Sequence, residues 1–318
     1  MKSFHCDHCQ QLVFFENVVC VNCGHALAYL PDQARVGSLD KVDRDRWQSP
    51  SSAEASQTYR LCRNYVLENV CNWAIPSDDP SALCRACRLT RVIPNLSISG
   101  NREAWYRLEV AKRRAIANLM SLGLRVVDGG EQPQNGLTFE FLADIPSAAH
   151  VVTGHHNGVI TINIAEADDA RREEVRREMR EPYRTLLGHV RHELGHYFWD
   201  CLIENDHRLE EFRRHFGDET NDYQLALSRH YHVGAPENWQ QQYVTSYASA
   251  HPSEDWAETW AHYLHMTDAL ETAATCGLSL RPQRADEPVL AFGKSGIDFS
   301  AFEQIMEAWF PLTTRLWL

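Results

Sequence analysis

The sequence has no uninterrupted apolar run approaching the length of a membrane-spanning helix, which excludes a helical membrane protein. Its opening, "MKSFHCDHCQQLVFFENVVC", lacks the apolar stretch of an export signal, so a cytoplasmic, reducing compartment is expected. Positive charge is scarce: 31 Lys and Arg face 43 Asp and Glu, for a net charge of −12. That balance argues against a general nucleic-acid binder, which wants a basic surface. No internal repeat is present, which excludes a solenoid. A phosphate loop is missing too, because "FGKSG" at 292–296 has Pro288 where the required glycine would stand. What remains is ordinary globular composition, 44% hydrophobic and 23% charged, in 318 residues. Two or three domains fit that length.

Ten cysteines in so long a chain could suggest disulfides, but their spacing points elsewhere. Cys6 and Cys9, Cys20 and Cys23, and Cys84 and Cys87 are C-x-x-C pairs, poorly placed to bridge each other and well placed to hold one metal from a tight knuckle. Cys6, Cys9, Cys20 and Cys23 have the zinc-ribbon spacing C-x2-C-x10-C-x2-C. His5, His8 and His25 lie nearby, but four thiolates suffice, so these are read as surface or outer-shell residues. Cys62, Cys71, Cys84 and Cys87 form a second candidate quartet with one knuckle and two single cysteines. Closed four-thiolate sites leave no open position, so both are expected to be structural. Cys201 is expected in the core, and Cys276 has no identifiable partner.

Along the chain, residues 1–30 read as a zinc ribbon, with Gly24 at a tight turn after the second knuckle. Residues 31–57 have linker composition, and residues 58–98 carry the second cysteine module. From 99 to 318 the pattern changes to long periodic elements. A helix over 102–122 closes at Gly123, and strands follow in "LRVVD", "LTFEFLAD", "HVVTG" and "VITINI", the last two joined by a turn at His155–Gly158. A solvated helix is predicted over 169–181, and Pro182 is expected to start the next one. Further helices are expected near 207–216, 219–232, 253–272 and 300–309. Strands first and helices afterwards is an α+β layout.

The helix after Pro182 contains "RHELGHYFWD" (191–200). Random order at this composition yields about 0.06 matches to H-E-x-x-H. At about 100° per residue His192, Glu193, His196 and Asp200 share one sector, bordered by Leu187, Val190, Leu194, Tyr197 and Cys201. The four-residue interval lets both imidazoles reach one zinc, with Glu193 turned toward the open coordination position as a base. Gly195, a poor helix former, suits a place where something approaches closely. A third ligand is expected in "TSYASAHPSEDWAETWAHYLH" (245–265). There Glu254 and Glu258 lie a turn apart on one face of a helix begun at Pro252 and Ser253, and Ala257 and Ala261 permit close packing. Periodicity alone does not choose between the two glutamates. Asp200 and whichever glutamate is not the ligand are candidates for the outer shell.

H-E-x-x-H followed by E-x-x-A-[DE] on a later helix resembles the gluzincin metallopeptidases. The fuller set of "CNW" (71–73), "CRACRL" (84–89), "GVITINIAEAD" (158–168), "RHELGHYFWD" and "EDWAETWAHYLH" (254–265) also resembles a bacterial family of zinc-binding metallopeptidases with an N-terminal zinc ribbon. The resemblance covers nearly the whole chain. It implies a zincin-like α+β peptidase domain behind small zinc-ribbon or rubredoxin-like modules of four cysteines each. It also implies His192, His196 and Glu254 as ligands of a catalytic zinc, with Glu258 holding a ligand histidine. In some gluzincins a tyrosine seven residues before the ligand glutamate stabilises the oxyanion, and Tyr247 stands seven before Glu254. The departure is the 57-residue separation of His196 and Glu254, longer than in the best-known gluzincins.

The expected protein is therefore a zinc-dependent peptidase with one catalytic and two structural zinc ions. Its substrate is a peptide or protein, with "GVITINI" as the edge strand that receives it. The ribbon is expected to recruit a protein partner; neither nucleic acid nor membrane is expected. The alternative is a zinc-ribbon adaptor with a vestigial or latent zincin domain. The intact Glu193 and the single lysine of residues 1–30, Lys2, argue against that alternative.

Overall fold

The computed structural model describes residues 2–50, 57–130, 136–145, 150–178, 185–204, 207–281, 284, 289–291 and 301–316. Pro182 and "FGKSG" lie outside the described residues. The chain divides into two compact units. One comprises Met1–Cys87, Ala117–Leu124 and His265–Leu318, the other Arg88–Ile116 and Arg125–Leu264. The residues from His265 onward group with the N-terminal unit.

The first unit opens with the ribbon hairpin β1 (Phe4–His5) and β2 (Leu12–Val13), paired Phe4↔Val13. A five-stranded sheet follows in the order β3 (Ala26–Leu30), β4 (Arg35–Lys41), β5 (Trp47–Gln48), β6 (Tyr59–Leu61) and β7 (Ala74–Pro76). Its neighbours pair antiparallel throughout. The short helices α1 (Arg63–Val66) and α2 (Arg85–Arg88) carry parts of the second cysteine module. This sheet corrects the reading of 31–57 as linker. Val36, Ser38 and Leu39 of β4 are buried, and Asp7 fastens the strand by accepting from the Ser38 amide (2.8 Å), the Ser38 hydroxyl (3.1 Å) and Arg35. A strand built on Gly37 and Ser38 has too little apolar pattern to be recognised from composition, and its register comes from its neighbours.

The second unit contains a mixed sheet and the helices that cover it. Its strands are β8 (Thr90–Val92), β9 (Thr138–Leu142), β10 (Gly154–His156) and β11 (Val159–Asn163), in the order β10-β11-β9-β8, and α3 (Asn101–Ser121) begins within this unit. β11 and β9 are parallel, as are β9 and β8, whereas β10 returns antiparallel from β11. Asn157 and Gly158, at φ of 48° and 78°, make the tight β10–β11 turn, so His155 and His156 are strand residues where the sequence suggested turn. Of "LRVVD" only an isolated bridge, Asp128↔Leu137, pairs. Phe139, Phe141, Ile160 and Ile162 supply the core face of the sheet. Against it α3 places a fully buried pair, Lys112 and Glu109, 2.9 Å apart. Glu109 also accepts from Thr90 and Trp105, and Lys112 lies over the Phe139 and Phe141 rings, so the charges are not left unpaired in the core.

The helices then follow: α4 (Asp169–Glu178), α5 (Leu186–Leu202), α6 (Leu209–Phe216), α7 (Tyr223–Val233) and α8 (Pro252–Thr275), whose residues to Leu264 belong to this unit. The Thr185 hydroxyl caps α5 by accepting from the Gly188 amide at 3.0 Å. The first unit resumes with β12 (Ser279–Leu280) paired to β13 (Leu290–Ala291), then α9 (Phe302–Leu316). No helix among the described residues is long and apolar enough to cross a membrane.

Candidate metal centre

Helix α5 is buried along Val190–Gly195 and again at Tyr197 and Phe198, which places the histidine pair inside the second unit. Its approach to α8 explains Gly195. A Cβ there would lie 2.9 Å from the Ala257 Cα and 3.2 Å from the Trp260 Cβ, so only glycine fits opposite Ala257. The Trp256 indole donates to the Gly195 carbonyl at 2.8 Å, and Phe198 stacks on Trp260 at 4.8 Å between centroids. This close crossing brings the first turns of α8 to the metal-ligand face of α5.

His192 Nε2 lies 3.1 Å from Glu254 Oε2 and 3.2 Å from His196 Nε2, and His196 Nε2 is 3.6 Å from Glu254 Oε1. A tetrahedral zinc with bonds of about 2.0–2.2 Å has ligand–ligand edges of roughly 3.3–3.6 Å, so these three side chains have the spacing of a zinc site. The donor set fits in a second respect. Glu254 is 1% exposed, and its Oε2, like Glu193 Oε2, is a buried oxygen without a hydrogen-bond partner. The Glu254 oxygen, buried and facing an imidazole nitrogen, wants a cation.

The outer partners set the histidine tautomer. His192 Nδ1 donates to Glu258 Oε1 at 2.8 Å, so in the neutral ring that a metal binds, Nε2 carries the lone pair, aimed at Glu254 and His196. Thr245 holds the other Glu258 oxygen at 2.7 Å. Burial alone would raise both carboxyls. The imidazoles of His192 and His196 beside it nevertheless hold Glu254 well below the usual range, and His192 and Thr245 hold Glu258 below it. Burial would lower His192, but Glu254 and Glu258 together raise it well above an ordinary imidazole. These shifts describe negative charge concentrated around the imidazole pair.

Two tyrosines border the cluster. Tyr247 has its ring 6.1 Å from that of His192 and 5.9 Å from that of His230. Burial first, and then Glu254, push its phenol far up, so it retains its proton. Tyr223 donates its hydroxyl to Glu254 Oε1 at 2.7 Å and is raised by the same two causes. Tyr223, Thr245 and His230 escaped the sequence reading. Tyr223 follows Asp222, the side-chain N-cap of α7, and that start signal is the one trace of its position visible in the sequence. Asp200 does not join the cluster. Its Oδ2 lies 3.8 Å from His155 Nε2, and burial followed by Glu204 raises it to about 6. His155 is held at about 4 by burial and His196, and its Nε2 accepts from the Gly158 amide at 3.0 Å, so it is a neutral acceptor. His262 donates to the backbone carbonyl of Glu258. Cys201 is exposed where a core position was expected.

The eight remaining candidate ligands fall into two groups. Cys6, Cys9, Cys20 and Cys23 bring four sulfurs together, with Cys6–Cys23 at 3.6 Å and Cys9–Cys20 at 3.5 Å. Cys62, Cys71, Cys84 and Cys87 do the same, fully buried, with Cys71–Cys84 at 3.7 Å. A Zn–S bond of about 2.3 Å gives edges of roughly 3.8 Å. Amides of Trp73, Cys84 and Cys87 donate to Cys71, Cys62 and Cys84 sulfurs, as suits thiolates. None of the ten cysteines forms a disulfide.

Comparison with known proteins agrees with this chemistry. Residues 101–317 match a family model described as "Putative zinc-binding metallo-peptidase", and residues 3–98 match a zinc-ribbon domain. The chain belongs to this zinc-binding metallopeptidase family and carries a zinc ribbon before the family domain. The uncharacterized proteins Rv2568c of Mycobacterium tuberculosis and Mb2598c of Mycobacterium bovis are each 45% identical to it over 320 residues. The match covers 99% of this chain and 86% of theirs. No solved structure matches.

Proposed function

We propose that the protein is a peptidase in which His192, His196 and Glu254 hold a catalytic zinc and Glu193 is the general base. The observation that carries the reading is the convergence of two imidazole nitrogens and a buried carboxylate, with Glu193 the next residue after His192 on the same buried stretch of α5. Zinc, when bound, supplies a Lewis acid that lowers the pKa of a water to about 7 and polarises a carbonyl. Glu193 accepts the proton of the attacking water and returns it to the leaving amine. Tyr247, a phenol that keeps its proton, donates to the oxygen on which negative charge develops. Glu258 fixes the His192 tautomer from behind, and Thr245 steadies Glu258.

The substrate strand differs from the one expected. "GVITINI" forms β11, which lies between β10 and β9 and has no free edge. The edge on the α5 side is β10, Gly154–His156, whose ring at His155 meets Tyr197 of α5 edge-on at 6.2 Å. An extended peptide adding to β10 would run antiparallel or parallel to a strand already beside the metal-site helix. The two cysteine quartets are read as structural zincs. A second reading, a ribbon that docks a protein partner, draws support from Phe14, Val19 and Val21, which are 57%, 50% and 88% exposed on the ribbon.

Replacing Glu193 by Gln tests the peptidase reading. The variant should keep its fold and full zinc content while cleavage of a peptide substrate falls about 10²–10⁴-fold. Unchanged turnover would remove Glu193 from the role of base.

A further inference from the structure

We propose that His8, His25 and Asp40 form a third kind of metal site on the ribbon, an open and exchangeable one for zinc-class divalent ions. It is separate from the peptidase reading and lies outside both cysteine quartets. His8 sits within the first knuckle, between Cys6 and Cys9, and His25 follows the second knuckle after Gly24. Asp40 is brought to them by the sheet. The β3–β4 register pairs Ala26 with Leu39, so the next rung sets His25 beside Asp40. The two imidazoles stack with centroids 3.6 Å apart and planes 14° from parallel, so the partly exposed His8 ring turns about its Cβ–Cγ bond to bring both Nε2 lone pairs onto one ion. Their Nε2 atoms lie 3.0 Å (His8) and 3.7 Å (His25) from the same oxygen, Asp40 Oδ1. All three ligand atoms fall within 4.8 Å of one another.

The hydrogen bond behind His25 gives this cluster its chemistry. His25 Nδ1 lies 3.2 Å from Cys23 Sγ, and a thiolate there is an acceptor, so the ring proton belongs on Nδ1. In the neutral ring Nε2 is then a lone pair facing a carboxylate oxygen, an arrangement that repels unless a cation closes it. The metal ligand Cys23 thus orients a second donor outward, as outer partners of ligand histidines do. Two imidazoles and one carboxylate suit zinc, cobalt or nickel and do not suit magnesium or calcium. Three protein ligands leave a fourth position for water or a donor from a partner. The side chains are 31%, 34% and 48% exposed, so ions enter and leave without unfolding, unlike those in the buried Cys62 quartet.

The test is titration of tag-free, full-length, zinc-loaded and desalted protein with Co2+, followed by visible absorption and elemental analysis. Wild type should take up one additional cobalt per chain, with weak d–d bands, no thiolate charge-transfer band and no displacement by excess Mg2+. His8→Ala and Asp40→Asn should each lose that ion while retaining the tightly held zinc; both side chains are partly exposed. His192→Ala should keep the additional cobalt, which separates it from exchange at the candidate catalytic site. The proposal is overturned if no additional cobalt binds, if it binds equally well to His8→Ala and Asp40→Asn, or if His192→Ala abolishes it.

Discussion

At the scale of single residues, Gly195 shows how a weak helix former can be required. Alanine would favour the isolated helix by about 1 kcal/mol. Here its methyl would meet the Ala257 backbone at 2.9 Å, which a side-chain rotation cannot relieve. Gly195→Ala is therefore expected to destabilise the protein by roughly 1–3 kcal/mol, the usual cost of overpacking. Denaturant unfolding of the two proteins measures it, and a more stable variant would mean that α5 and α8 do not cross as described. Glu254 and Glu258 pose a question that periodicity could not answer, since both lie on one helical face. Their partners separate them: Glu254 faces both Nε2 atoms, whereas Glu258 reaches Nδ1 of His192. Glu254→Ala should strip the candidate catalytic zinc, and Glu258→Ala should weaken it by about 10–100-fold. Competition with a chelator ranks the two, and the opposite ranking would reverse the assignment.

At the scale of elements, periodic helices and their caps were legible and the sheets less so. Pro252 and Ser253 marked α8 because a fixed φ and early acidic residues favour a helix start. Alternation in "VITINI" marked a strand, yet period two carries no information about which neighbour pairs on each side, so the edge fell to β10 instead. Tyr223 lies 31 residues from Glu254 and meets it only through the placement of α7, which no local pattern records. The β10 edge also predicts a pH response. His155 is depressed to about 4 by burial and His196, against about 6.5 unfolded. A depressed histidine stabilises the fold above its unfolded pKa, and that stability is lost as pH falls through the folded value. Between about pH 7.5 and 5 it accounts for about 2 kcal/mol of lost stability. In His155→Gln, whose amide oxygen can still accept from Gly158, the decline in the denaturant midpoint over that interval should be shallower by this amount. Parallel curves for the two proteins would contradict it.

At the scale of the whole molecule, two cysteine quartets and a histidine–glutamate set stand in one chain, beside the ribbon's own His8 cluster. The cysteine quartets were legible because a C-x-x-C knuckle is a local device, and the histidine pair because H-E-x-x-H is one helical turn. Joining His192 and His196 to Glu254, across 57 residues, took the crossing of α5 and α8. The central claim is that this histidine–glutamate set holds a zinc of its own. Elemental analysis of desalted protein tests it most directly, comparing wild type with His196→Ala. Three zinc ions per chain in wild type and two in the folded variant are predicted. Equal zinc content in the two proteins would contradict the account.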